Sequence, residues 1–351
     1  MTERSIVIDG RIIGDGEPPY IIAELSGNHN GEIERAFALM DAAKAAGADA
    51  VKLQTYTADT ITIDHDGPDF RIEGGLWDGH TLYDLYQQAY TPWEWHEALF
   101  AKGRELSLTV FSSGFDPTAI DFLAELGAPA YKIASFEIVD LALIEKAASK
   151  GKPLIISTGL ATQAEIGEAI AAARLGGCDA IALLHCTSGY PTPPQDSNLA
   201  NVQGLVASFN CVTGLSDHTL GIAVPVGAVA LGATIIEKHV TLRRSDGGPD
   251  AAFSLEPEEL ADLVAACRTA FDAVGKITYD RTPSEIPNLV FRRSLYVVKN
   301  IAAGENFTTE NVRSIRPAHG LAPKHLPNIL GRRAAHDLAQ GMPLSWNAIK
   351  K

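Results

Sequence analysis

The sequence predicts an α/β protein, a (β/α)8 TIM barrel followed by a small C-terminal domain. Three observations carry the prediction. Eight short apolar runs punctuate the first 240 residues, Ala-rich helix-like stretches separate them, and a glycine joint precedes several of the runs. Apolar runs of five or six residues with little alternation read as parallel strands buried on both faces. Eight of them alternating with helices close into a barrel. A doubly wound open sheet is the rival, but no Gly-rich dinucleotide fingerprint supports it.

The runs are Tyr20–Leu25, Ala50–Gln54, Leu108–Ser112, Ala130–Ala134, Pro153–Thr158, Ala180–His185, Cys211–Ser216 and Thr234–His239. Glu32–Ala46 typifies the helices between them, with Ile33, Phe37 and Met40 at i, i+4 and i+7. Asn30 stands where an N-cap belongs and Gly47 where a C′ glycine belongs. Gly127, Gly151, Gly176 and Gly232 mark similar joints ahead of later strands. About fifty residues separate Gln54 from Leu108 and include Trp77, Tyr83, Tyr86, Tyr90, Trp93 and Trp95. So aromatic a connection is not disordered; because it follows a strand, it is expected over the barrel mouth as part of a substrate pocket, packing on the outer helices being the alternative. A last helix spans about Pro257–Val274, and Lys276–Asn288, with Pro283 and Pro287, reads as a linker. Arg293–Lys299 and the stretch AAGENFTTENVRSIRP then give two strands of a small unit. The expected boundaries are 1–278 for the barrel, 279–290 for the linker and 291–351 for the C-terminal domain.

The formal charge is −14, yet residues 285–351 carry ten Lys and Arg against four Asp and Glu, leaving −20 on the rest. An acidic body excludes non-specific nucleic-acid binding, which needs a dense basic footprint. The basic tail is expected to dock on acidic surface nearby. Cys178, Cys186, Cys211 and Cys267 show no CxxC spacing, against a disulfide scaffold or structural zinc. The start MTERSIVIDGRII does not look like a secretory leader, and no stretch approaches 18 consecutive apolar residues. A soluble, cytoplasmic protein without membrane partners is expected.

Chemistry in a barrel sits where the strands finish, and those positions are polar here. They include Glu24, Lys52, Gln54, Ser113, Lys132, Ser135, Glu137, Ser157, His185, Ser188, Tyr190, Ser216, Asp217, His218, Glu237, Lys238 and His239. One strand-end Ser or Lys is ordinarily a cap or a surface tip. So many together cannot be buried without partners, since each would cost several kcal/mol. Lys52 and Lys132 with nearby hydroxyls suit a phosphate or carboxylate. His218 and His239, on adjacent strands, suit a divalent metal such as Mn2+. Glu24, Glu137, Glu237 and Asp250 are acid–base candidates or counter-charges to the lysines. His185 is equally a core residue, and His29 is a weaker site candidate.

In this order the residues resemble the sialic acid synthase family (the nonulosonic acid synthases) nearly end to end. The carrying motifs are IIAELSGNHNG (21–31), KLQTY (52–56), FSSGFD (111–116), YKIASFE (131–137), ISTG (156–159), HCTSGYPTP (185–193), GLSDHT (214–219), EKHVTL (237–242) and GGPDAAFSLEP (247–257). FRRSLY (291–296) and SIRPAHGL (314–321) resemble the antifreeze-like SAF domain. The resemblance implies a transferase that joins phosphoenolpyruvate (PEP) to an N-acetylated amino-sugar aldehyde and releases phosphate. It implies Lys52, Ser113, Ser135 and Ser157 at the phosphate, and Lys132, Ser188 and Ser216 at the carboxylate. His218 and His239 would hold Mn2+, with Mg2+ or Co2+ as alternatives. Glu24, Gln54, Glu137, Tyr190, Glu237 and Asp250 would line the sugar and water side, with Glu24 or Glu237 deprotonating the water. Arg316 would reach a partner's barrel in a homodimer with exchanged SAF domains. Ser113, Ser188 in TSGYP and the stretch TLYDLYQQAYTPWEWH (81–96) look like the branch that uses 2,4-diacetamido-2,4,6-trideoxy-L-altrose. N-acetylneuraminate and legionaminate synthesis is the alternative within the family. Outside it, a Schiff-base aldolase using Lys52 or Lys132 and an inactive barrel bearing a carbohydrate- or ice-binding module stay open.

Overall fold

The computed structural model describes residues 4–350. The chain divides into two compact units, Met1–Gly275 and Lys276–Lys351.

The first unit opens with an antiparallel hairpin of β1 (Ser5–Ile8) and β2 (Arg11–Gly14), which lies outside the eight apolar runs. Its Asp9–Gly10 turn takes φ of 49° and 78°, the left-handed pair that suits a two-residue hairpin loop. Then follow β3 (Tyr20–Glu24), α1 (Ile33–Ala46), β4 (Ala50–Thr55), α2 (Ala58–Ile61), α3 (Leu82–Ala89), α4 (His96–Leu106), β5 (Thr109–Gly114), α5 (Pro117–Glu125), β6 (Tyr131–Ile133) and α6 (Leu141–Ala148). The unit continues through β7 (Leu154–Ser157), α7 (Gln163–Leu175), β8 (Ile181–Cys186), α8 (Ala200–Phe209), β9 (Val212–Asp217), α9 (Ala223–Ala230), β10 (Ile235–His239) and α10 (Pro257–Val274). Strands β3 to β10 are parallel and close on one another, β10 pairing with β3. All eight predicted runs are barrel strands.

Helix α1 shows one success and one correction. Gly47 adopts φ 85°, and Ala48 N–H donates to Ala43 O while Gly47 N–H donates to Lys44 O, the double closure of a Schellman cap. Asn30 is not the N-cap. The N-cap position is Glu32, with no side-chain bond, because Asn30 lies in a left-handed turn and its Nδ2 donates to Gly247 O, 3.2 Å away, in the loop after β10.

Strand parity sorts the core into two. Tyr20, Ile22, Ala50, Phe111, Ala130, Ile155, Ala182, Leu184, Val212 and Ile235 fill the barrel, and Ile6, Ile8 and Ile13 of the hairpin pack against them, closing the end where the strands begin. Residues of opposite parity, among them Ile21, Val51, Val110, Ile133, Ile156, Leu183 and Ile236, pack beneath the helices. No helix among the described residues is long and apolar enough to cross a membrane.

The second unit has its own core around Leu295, Val297, Phe307, Val312, Ile329 and Leu344. It contains the antiparallel pair β11 (Ser294–Val297) and β12 (Val312–Ile315) and the short α11 (Leu326–Ile329).

Candidate active site

Above the apolar filling, every barrel strand turns one polar or thiol side chain inward. Two residues beyond Ile22, Ala50, Phe111, Ala130, Ile155, Leu184 and Ile235, and four beyond Val212, stand Glu24, Lys52, Ser113, Lys132, Ser157, Cys186, Glu237 and Ser216. Gln54, His218 and His239 are one inward step higher on their strands or just past them. Parity and local contacts remove other candidates. Lys238 points outward and donates to Asp217 and to Thr219 O. His185 bonds Ser197 O at 2.6 Å, and His29 accepts from Gly31 N–H at 3.1 Å, so both are structural.

Lys52, Lys132, Glu24 and Glu237 form a buried, formally neutral tetrad. Lys132 Nζ donates to Glu237 at 2.7 and 2.9 Å. Lys52 Nζ lies 2.7 Å from Glu24 Oε2 and 3.6 Å from Glu237 Oε1, and donates to Ser113 Oγ at 3.2 Å. Gln54 Nε2 donates to Glu24 at 2.8 Å and Ser216 Oγ to Glu237 at 3.1 Å. Such mutual pairing is what lets four charges sit out of water. Burial opposes ionisation of Glu237, but Lys132 and Lys52 outweigh it and hold the carboxyl below its ordinary range. For Glu24 burial wins over Lys52, and its pKa rises. Burial also raises Asp250, which accepts from Ser26 Oγ, and pushes Glu137 up to about 7.

Several buried polar atoms at this mouth have no partner: Ser157 Oγ, Ser188 Oγ, Glu137 Oε2 and His239 Nδ1. Unpaired buried groups are costly, and hydroxyls grouped this way are what an anion would satisfy. Gly159 keeps the cradle open. A Cβ there would lie 2.4 Å from Ser188 Oγ and 2.7 Å from Ser135 Oγ, while Gly159 N–H donates to Ser135 Oγ at 3.1 Å.

The two imidazoles have ring centroids 5.3 Å apart. His218 Nδ1 is engaged by Thr187 O at 3.1 Å, which leaves Nε2 free, and His239 Nδ1 lies 3.7 Å from Asp250 Oδ2. Burial drives His239 well below the ordinary histidine range, so it is a neutral donor at physiological pH. Among the described residues no group of three His, Cys, Asp or Glu side chains is disposed to hold a metal. Two neighbouring imidazoles, one of them with Nε2 free, are chemically suited to two positions of an open divalent-metal site whose other positions water and substrate oxygen would fill.

These groups share a cavity of about 560 Å3. Lys52, Gln54, Lys132, Ser135, Glu137, Ser157, Tyr190, Ser216, His218, Glu237, His239 and Asp250 line it. Glu24 and Ser113, which contact Lys52, and Ser188, whose Oγ lies beside Gly159, are not in its lining, and Arg316 belongs to the second unit. A cavity of about 550 Å3 beside the strand starts contains the Arg11–Asp49 ion pair but gathers none of these groups. Sequence reasoning missed Cys186, which strand parity alone would have found, and the apolar lining of Tyr56, Ile61, Ile72, Leu82, Leu85, Phe115 and Phe136. Of the aromatic residues between β4 and β5, Trp77 and Tyr86 do line the cavity. Trp93 instead stacks on Phe122 at 4.9 Å and Trp95 meets His29 edge-on at 5.4 Å, so those two pack outside it.

Fold and site together define a barrel protein that gathers lysines, hydroxyls, a histidine pair and buried carboxylates at the strand ends. The chain belongs to the NeuB family, whose model matches residues 39–279, and an SAF domain matches residues 292–350. The resemblance to sialic acid synthases thus holds. The chain is 45% identical over 322 residues to pseudaminic acid synthase of Campylobacter jejuni, covering 92% of this chain and 94% of that one. It is 38% identical over 336 residues to N,N'-diacetyllegionaminic acid synthase of Legionella pneumophila, covering 94% of each. Among solved structures, N-acetylneuraminic acid synthetase of Leptospira borgpetersenii matches with a TM-score of 0.73 and 31% identity over 82% of this chain and 95% of that one. The chain is accordingly a synthase of the transferase class.

Proposed function

We propose that the protein makes pseudaminic acid from PEP, water and 2,4-diacetamido-2,4,6-trideoxy-L-altrose. The carrying observation is the strand-end ring of lysines, carboxylates and unpartnered hydroxyls in a chain nearer to a pseudaminic acid synthase, at 45% identity, than to a legionaminic one at 38%. Lys52 and Lys132, with Ser113, Ser135, Ser157, Ser188 and Ser216, hold the phosphate and carboxylate of PEP. The enol C3 bonds to the aldehyde carbon, the aldehyde oxygen takes a proton from solvent, and water adds at C2 with loss of one proton. The bond from C2 to the phosphate oxygen then breaks, and the new C2 hydroxyl passes its proton to the departing phosphate as it becomes the carbonyl. Glu137, not committed to a lysine, takes the proton from the attacking water. When bound at His218 and His239, Mn2+, or Mg2+ or Co2+ in its place, supplies Lewis acidity toward the aldehyde oxygen. A homodimer with exchanged SAF domains and a role for Arg316 belongs to this reading on the strength of the motif SIRPAHGL. So does a cytoplasmic location, where PEP is made.

The test is phosphate release from PEP with Mn2+ and each candidate sugar in parallel, before and after EDTA. Turnover confined to the 6-deoxy-diacetamido-altrose, lost with EDTA and restored by Mn2+, is expected. Preference for N-acetylmannosamine would reassign the substrate. No EDTA-sensitive release from folded protein would overturn the reaction.

A further inference from the structure

We propose that the segment between β4 and β5 builds an apolar subsite, from Ile61, Ile72, Leu82 and Leu85, that seats the C6 methyl group of the acceptor sugar and selects against a 6-hydroxyl. The inference rests on the function just proposed and adds the residues that read the far end of the substrate.

The cavity has two chemically distinct sides. Its floor, at the strand ends, carries the charged and hydroxyl groups. From the segment after β4 the lining is Tyr56, Ile61, Ile72, Trp77, Leu82, Leu85, Tyr86 and Ala89. The many acidic and amide side chains of that segment, Asp59, Asp78, Asp84 and Gln87 among them, do not line it. Trp77 has spent its indole N–H on Pro249 O at 2.8 Å, so only two tyrosine hydroxyls there can still bond a ligand.

Local structure builds the aliphatic patch deliberately. Ile72 N–H donates to His80 O and Gly79 N–H to Ile72 O, and Arg71 bridges Thr81, which sets Ile72 beside the start of α3. Thr81 Oγ1 caps α3 by accepting from Asp84 N–H at 3.0 Å, and the cap places Leu82 and Leu85 one turn apart on a shared face. Helix α2, which ends at Ile61, is tied to α3 by Tyr83 Oη donating to Asp59 at 3.2 Å.

Substrate chemistry sets the orientation. The aldehyde carbon must meet the enol carbon on the polar floor, so C6, the far end of the six-carbon chain, points away from the floor toward the segment that covers it. A methyl group buried there gains roughly fourfold in binding. A hydroxyl seated among the four aliphatic side chains would lose its water and could regain a side-chain partner only by reaching Tyr56 or Tyr86, and apolar pockets reject an added hydroxyl by at most about a hundredfold.

The experiment compares kcat/KM for 2,4-diacetamido-2,4,6-trideoxy-L-altrose and its 6-hydroxy counterpart in the wild type, Ile72→Thr and Leu82→Asn. The ratio for two sugars on one preparation cancels the fraction of folded protein. The wild type should prefer the 6-deoxy sugar by roughly 10- to 100-fold. Each variant, offering a hydroxyl or amide, should lower that preference by roughly 3- to 10-fold while KM for PEP stays put. A wild type that uses both sugars equally, or variants that slow both by one factor, would overturn the subsite and leave the proposed function standing. Turnover of neither sugar, with N-acetylmannosamine accepted, would overturn that function and the subsite with it.

Discussion

Three carboxylates at the barrel mouth are tied to a donor, Glu24 through Lys52, Glu237 through Lys132 and Asp250 through Ser26. Glu137 keeps a buried Oε2 with no partner. Burial places its pKa at about 7, where a carboxyl both gives and takes protons readily near neutrality. As the base for the attacking water it must be ionised, so activity should fall as pH drops below about 7. Glu137→Gln should lower kcat by roughly 10²- to 10⁴-fold. It should also abolish that acid limb in the pH–rate profile while leaving KM for PEP little changed. If the variant keeps the limb, the proton goes to another group.

At the scale of elements, the loop after β3 and the start of α4 bury two histidines near each other. His29 and His96 are both pushed down to about 4, by burial first and, for His29, by the proximity of His96. His96 Nε2 meets Thr55 Oγ1 at 2.7 Å, linking α4 to the end of β4. Their folded values lie below the unfolded value of about 6.5. Above that pH both states are neutral and the stability is fully present. As pH falls from about 6.5 toward 4 the unfolded chain takes protons first, and stability is lost by up to ~1.4 kcal/mol per pH unit for each histidine. The urea midpoint should therefore drop over this window, and His96→Gln should make the drop shallower. An unchanged slope would show that other groups control acid unfolding. The sequence marks these elements unevenly. Gly47 announces the end of α1 because only a left-handed residue closes that helix, whereas Asn30 misleads because its amide bonds a loop some 217 residues away.

For the whole molecule, the barrel was legible because a parallel strand buried on both faces leaves an uninterrupted apolar run. The polar half of the site was legible because those runs end in Lys52, Lys132, His218 and His239. Parity then separates Glu237 inside from Lys238 outside. The aliphatic wall was not legible: Ile61, Ile72 and Leu82 share no period, and packing between distant segments joins them. The hairpin was legible in principle, since Asp-Gly sits between alternating residues with Ile6 and Ile8 buried and Val7 52% exposed. Its role appears only in the closed barrel, where Ile8 and Ile13 cap the interior against Tyr20 and Ile235. Ile13 is wholly buried at the end opposite the catalytic groups. Ile13→Ala should leave a cavity costing roughly 2–4 kcal/mol. In a unit this large that corresponds to a fall in Tm of roughly 5–15 °C. KM for PEP and the preference between sugars should not move, because the apolar filling separates the plug from the strand-end ring. Calorimetry alongside the phosphate assay tests both halves. A stable variant would show that the hairpin is an ornament, and a shifted KM would show that the plug and the site are mechanically coupled through the barrel.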